Sequence, residues 1–142
     1  ATAAGITFTN NLPEPSGANL EVVSGSLNVV NSILWENQSE TAAQGEAILS
    51  VVWSITPAEV SGENNLHVDP LFIRSPGEVD GVEPDLTLQS GSAAIDSGNN
   101  NLIPSGLDST DAAGLSRLRD DENTADTGVG DSPLVDRGAF EK

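Results

Sequence analysis

The side chains of this chain best equipped for chemistry are carboxylates, and they crowd between positions 108 and 131. Asp108, Asp111, Asp120, Asp121, Glu122, Asp126 and Asp131 stand there among Gly, Ser and Thr. Within that stretch, Asp121-x-Asn123-x-x-Asp126-x-Gly128 offers hard oxygen donors and a conformationally free glycine, one residue away from the spacing of an EF-hand loop. The chemistry expected is capture of Ca2+ as a structural ion by Asp120, Asp121, Asn123, Asp126 and Asp131. The alternative reading of the same residues is a solvated acidic loop.

Catalysis finds less support. A glycosidase needs two carboxyl groups roughly 5 to 9.5 Å apart across the scissile bond. Asp120-Asp121 is the only adjacent pair of aspartates, and neighbours on a strand point to opposite faces. A polysaccharide lyase needs an Arg or Lys base beside calcium carboxylates. The cations here are Arg74, Arg117, Arg119, Arg137 and Lys142, all outside the repeat described below. His67, the sole histidine, sits in the alternating segment Asn65-Leu66-His67-Val68-Asp69 and reads as an exposed strand residue. No catalytic residue is assigned. Trp35 and Trp53 are candidate ligand-binding residues, since an indole face can stack on a sugar. Their apolar neighbours Ile33, Leu34 and Val52 equally suit a core role.

The elements that must position these groups are announced by a repeat. Leu27-Asn28-Val29-Val30-Asn31-Ser32-Ile33 returns as Leu49-Ser50-Val51-Val52-Trp53-Ser54-Ile55, an offset of 22. A weaker copy, with Ile6, Phe8 and Asn10, stands 21 residues before Leu27, Val29 and Asn31. Like residues returning at such a period predict an all-β parallel β-helix, a solenoid whose coils stack about 4.8 Å apart. The leucine-rich repeat, the nearest competitor, would need an L-x-x-L-x-L-x-x-N spacing that is absent. Strands are predicted over 5–9, 20–23, 27–35 and 47–55, with Leu27, Val29, Leu49 and Val51 pointing inward. Asn10, Asn11, Asn31 and Asn37 are expected at coil corners, where Asn tolerates a left-handed backbone. Residues 1–60 thus form the coils, and 61–142 the final coil plus a loop-rich region of the same domain that folds back through Pro133-Leu134-Val135-Asp136-Arg137-Gly138-Ala139-Phe140.

Composition narrows the partners. With 142 residues, 22 acidic against 5 basic and a net charge of −17, the chain repels phosphate backbones and anionic lipid, so no nucleic acid partner is expected. Cysteine is absent, leaving packing and backbone pairing to hold the fold. No apolar run approaches the ~20 residues of a membrane helix, so membrane insertion is not expected.

Several segments carry a resemblance. Gly25-Ser26-Leu27-Asn28-Val29-Val30-Asn31-Ser32-Ile33-Leu34-Trp35-Glu36-Asn37 is followed by Val68-Asp69-Pro70-Leu71-Phe72, by Leu86-Thr87-Leu88-Gln89-Ser90-Gly91-Ser92-Ala93-Ala94-Ile95-Asp96-Ser97-Gly98, and by Val135-Asp136-Arg137-Gly138-Ala139-Phe140-Glu141. In type and order these resemble the carboxyl ends of the choice-of-anchor Q family, bacterial secreted β-helix proteins related to polymorphic outer-membrane β-helix repeats. The resemblance implies a right-handed helix and an extracellular or cell-surface location. The chain departs from the family pattern at Gly114-Leu115-Ser116-Arg117, where Gly-Asn-Pro-Arg is usual, and at Arg137, where an apolar residue is usual. The expected role is a non-catalytic structural or adhesive surface module. One alternative is a subunit of a filament, self-associating through the first strand at Ile6, Thr7 and Phe8. Another is a β-helix that binds or cleaves polysaccharide.

Overall fold

The structure, a computed structural model, describes residues 1–9, 20–35, 41–76, 78–106 and 109–142, with the backbone alone at 8 and 9. It is all-β. Strands β1 (Thr2–Ala4), β2 (Thr7–Thr9), β3 (Leu20–Val22), β4 (Ser26–Val30), β5 (Ile33–Trp35), β6 (Thr41–Ala43) and β7 (Ile48–Val52) pair only in parallel, in the orders β1-β4-β7, β2-β5 and β3-β6. Strands β8 (Phe72–Arg74) and β9 (Asp85–Leu88) form an antiparallel pair, and a short 3-10 turn spans Asn100–Leu102.

The sequence repeat is a pairing register. Leu27 stands beside Leu49 and Val29 beside Val51, 22 residues apart, as the alternation requires. Val29, Leu34, Val51 and Val60 are buried together, with Leu20, Leu27 and Leu49 half-buried against them. A second cluster joins Ile33, Ile55, Phe72, Leu88, Ala94 and Ile95, so the β8–β9 hairpin and the 93–96 turn close the core below the parallel strands. Burying each of the Val, Leu, Ile and Phe side chains that are fully enclosed contributes roughly 1.5–3 kcal/mol.

Two expectations need correction. The segments 27–35 and 47–55 are not single strands. Each turns a corner at a residue with left-handed backbone, Asn31 at φ 48° and Trp53 at φ 51°, and Gly5 at φ 58° does the same between β1 and β2. The first copy of the repeat is also out of register. Ala3 pairs with Val29 and Thr7 with Ile33, an offset of 26 rather than 21. The offset falls to 21 between Leu20 and Thr41, so the extra length lies between β2 and β3. Asn10, Asn11 and Asn37 lie outside the described residues, as does position 108.

The corners are joined by side chains. Ile6 N donates to Ser32 Oγ at 3.2 Å, Ser32 N to Ser54 Oγ at 3.1 Å, and Ser54 N to Asn65 Oδ1 at 3.1 Å. Ser32 and Ser54 also donate their hydroxyls to Val30 O and Val52 O. A ladder of this kind leaves these fully buried polar groups satisfied, which is the condition for burying them.

Candidate metal centre

The C-terminal half lays two irregular segments against these corners. Asn31 exchanges hydrogen bonds with Asn99, Nδ2 to the carbonyl at 2.9 Å and the Asn99 N to Oδ1 at 2.8 Å. The turn just before it is held by Ala94 and Ile95 in the core, by Ser92 Oγ donating to Pro70 O at 2.6 Å, and by Ser97 Oγ donating to Ala94 O. Asp96 is therefore placed by its neighbours, with its backbone in the left-handed region at φ 47° and its side chain wholly buried. Asp tolerates that conformation better than most residues.

The acidic loop wraps around this turn. Thr127 N and Gly128 N both donate to Asp96 O, at 2.9 and 3.1 Å, and Val129 N donates to Gly98 O. A Cβ on Gly128 would run into the Gly98 carbonyl, so this glycine is required for close backbone approach. Asp121 N donates to Asp96 Oδ2 at 3.3 Å. Asp96 Oδ1 has no hydrogen-bond partner. One carboxylate oxygen from each of Asp96, Asp120 and Asp126 lies within 4.8 Å of the others. A single ion with metal–oxygen bonds of about 2.3–2.6 Å can bridge oxygens at that separation. Burial, followed by the charges of Asp120, Asp126 and Asp121, outweighs the Asp121 hydrogen bond and pushes the Asp96 carboxyl up to about 6. The site is thus short of positive charge, and a metal ion is what these donors could hold.

Of the residues expected to bind the ion, Asp120 and Asp126 come together. Asp121 Oδ1 instead accepts from Asn123 N and Nδ2, both at 3.1 Å, in a local turn. Those two bonds hold the Asp121 carboxyl below the usual range. Asp131 is exposed and outside the three-carboxylate group, its carbonyl accepting from Asn100 Nδ2. Asp96 was not among the expected ligands. Its signal in the sequence is a carboxylate closing the apolar run Ala93-Ala94-Ile95, where an aspartate needs a reason to be buried.

A second group of buried charges fastens the chain end. Asp136 Oδ1 accepts from Asp96 N at 2.7 Å, and Oδ2 from Lys142 N. Glu141 Oε2 accepts from Asp136 N, while Oε1 lies 3.2 Å from Arg117 Nε without hydrogen-bond alignment. Arg117 Nη2 donates to Gly138 O at 2.7 Å. Asp111 takes three backbone donors, from Ala113, Leu115 and Glu141. For Asp111 burial works upward, but those donors and Arg117 outweigh it and its carboxyl lies below the usual range. Burial pushes Asp136 up to about 7 and, with the charges of Asp136 and Asp111 added, Glu141 up to about 9 despite Arg117. A raised native value means the folded chain holds a proton that the unfolded chain, at the ordinary 4.5, releases. The stability from Glu141 is full below about 4.5 and lost as pH rises through about 9. The melting temperature is therefore expected to fall between pH 5 and pH 9, and Glu141→Gln to flatten that slope. An undiminished slope in the variant would place the titration on other groups.

Arg137 is the other buried cation. Its guanidinium donates to Ser54 O and Asn64 O from Nη1, to Ser97 O from Nη2, and to Ser97 O and Oγ from Nε, at 2.8 to 3.3 Å. It also lies 5.6 Å from the centroid of the Trp53 ring. Desolvation lowers its pKa to about 10. Gly138, at φ 110°, packs where a Cβ would meet Ile33 and Thr7, and Ala139 N donates to Thr7 Oγ1 at 3.1 Å. Residues 137–139 therefore run lengthwise across successive corners, from Asn64 and Ser54 past Asn31 to Thr7. Trp35 packs against the Ile33–Ile55 cluster, the core role that its neighbours suggested. His67 Nδ1 lies 3.1 Å from Thr56 O and 3.3 Å from Thr56 Oγ1, on an exposed residue.

Among the described residues no helix is long and apolar enough to cross a membrane. No family model, curated protein or solved structure matches this chain.

Proposed function

We propose that the chain is the terminal part of a right-handed parallel β-helix of the choice-of-anchor Q type, serving as a non-catalytic structural or adhesive module on a bacterial surface or in a secreted protein. The observation that carries this reading is the return segment. Residues 137–139 bind corners of successive turns of chain, as expected of a strap that finishes a stack of coils. The segments that resemble the family also meet in space. Ser92 reaches Pro70, Arg137 N donates to Ala94 O, and Gly98 N donates to Val135 O. Calcium is the ion this reading puts in the acidic loop, because the donors are oxygens and net charge −17 favours a hard cation.

The test is surface labelling in the bacterium that encodes the chain, with an antibody raised against it. Intact cells or their medium should react. Reaction only after the cells are broken would overturn the extracellular reading.

Self-association through Ile6, Thr7 and Phe8 is a second reading with its own support. The β2 strand pairs with β5 on one side and stands at the edge of its sheet among the described residues, as β1 does beside β4. At the other end Val60 joins Val51 in the core, and the β8–β9 hairpin joins Ile55. With one end covered, stacking through open edges would favour a pair of copies over a filament. Sedimentation should then show a dimer that strengthens with salt as screening weakens repulsion, and Thr7→Pro should dissolve it. A monomer at every salt concentration would overturn this reading.

A further inference from the structure

We infer that Asp96, Asp120 and Asp126 form a divalent-cation site in which buried Asp96 is the anchoring ligand, and that the ion ties the acidic loop to the turn at the centre of the C-terminal half. This deepens the calcium part of the proposed function and rests on it.

The cluster alone would not suffice, since acidic loops often face solvent without an ion. The deciding observation is Asp96 itself. Its side chain is wholly buried, its Oδ1 has no partner, and one of its carboxylate oxygens lies within 4.8 Å of oxygens of Asp120 and Asp126. A buried ionised oxygen left without a partner costs several kcal/mol, and three converging carboxylates add repulsion. The fold keeps this arrangement in place. Asp96 is fixed by Asp136 at its N–H, by Thr127 and Gly128 at its carbonyl, and by Asp121 at Oδ2. A cation supplies the missing counter-charge.

The donor set indicates the class of ion. Three carboxylate oxygens with neither thiolate nor imidazole suit a hard ion and not zinc. Asp120 and Asp126 are exposed, so water can complete the shell. Such an open site fits the adaptable coordination of Ca2+ better than the strict octahedron of Mg2+. With few protein ligands, affinity should fall in the extracellular range, a Kd of about 10⁻⁴–10⁻³ M.

The experiment is calorimetric titration of the whole chain with CaCl2, joined to melting curves in chelator and in 10 mM Ca2+. The native chain should bind one ion, and Asp96→Asn should weaken binding at least tenfold. The melting curves should cross. In chelator, Asp96→Asn should melt at or above the native chain, because the amide is uncharged and keeps an acceptor for Asp121 N. In calcium the order should reverse. A residue with only a packing role would show no such reversal. Should Asp96→Asn fail to fold, the exposed pair Asp120→Asn/Asp126→Asn decides, and it must lose binding while Asp131→Asn retains it.

Native-like binding by Asp96→Asn, or by the double variant, would overturn this site and leave calcium bound elsewhere in the loop. Loss of binding in Asp131→Asn would overturn it likewise. Absence of heat and of any thermal shift in the native chain up to 10 mM would overturn the site and the calcium reading together.

Discussion

Arg137→Met is expected to lower the free energy of unfolding by about 2–5 kcal/mol, the scale for leaving two carbonyls without their donors. Length and much of the volume are kept, but the carbonyls of Asn64 and Ser97 lose their donor, while Ser54 O keeps the N–H of Leu66. Each orphaned buried carbonyl costs about 1–3 kcal/mol. Removing the charge also relieves the desolvation that lowers its pKa, which is why the expected loss is less than the full sum. The contact over the Trp53 ring goes too. Because Arg137 reaches two different turns of chain, its loss should also free the C-terminal segment, and proteases should then cut within 119–131 first. Urea denaturation of the purified chain measures the first effect, and timed proteolysis the second. A loss under about 1 kcal/mol would mean that water satisfies those carbonyls equally well.

Val51→Asp should be more damaging still and leave no cooperative unfolding transition. Val51 is 4% exposed, pairs with Val29 across β4 and β7, and touches the cluster that includes Leu34 and Val60. The substitution removes roughly 1.5–3 kcal/mol of apolar burial and puts an unpaired carboxylate in its place, costing several more. That total is comparable to the whole stability of a small domain, about 5–15 kcal/mol. Circular dichroism during heating gives the readout. A melt close to that of the native chain would show that the register of 22 between Val29 and Val51 is wrong. Ile48→Asp on the same strand is the matched control, because Ile48 is 61% exposed.

The physics of the repeat explains how much was legible. The identity of Leu27, Val29, Ser32 and Ile33 with Leu49, Val51, Ser54 and Ile55 arises because each residue lies directly beside its copy. Adjacent strands must match in volume inside and in hydrogen bonding at the corner, so the sequence records the contact twice. The failed alignment of Ile6 and Phe8 has the same root. The first turn is longer, and short β-rich segments with alternating apolar residues look alike at several offsets. Asn31 lies inside the predicted strand 27–35 although asparagine suits a left-handed corner; Trp53, its counterpart one turn later, carries no such signal, since a bulky aromatic rarely adopts positive φ.

The site divided along a similar line. The acidic loop and the oxygen character of its ligands were set by local composition, as was the presence of a parallel, all-β first half with Val29 and Val51 inside. Asp96, by contrast, became a partner of Asp120 and Asp126 only through folding. It lies in a different segment, and it meets the loop because the core holds Ala94 and Ile95 while backbone hydrogen bonds draw residues 127–129 against it. The bonds of Arg137 to Ser54 and Asn64 were equally unreadable, spanning 83 and 73 residues. Local spacing determines strand pattern and ligand type because those depend on neighbours along the chain. Which carboxylates converge, and which cation must be buried to fasten the end of the chain, depends on contacts that exist only after the loops have closed.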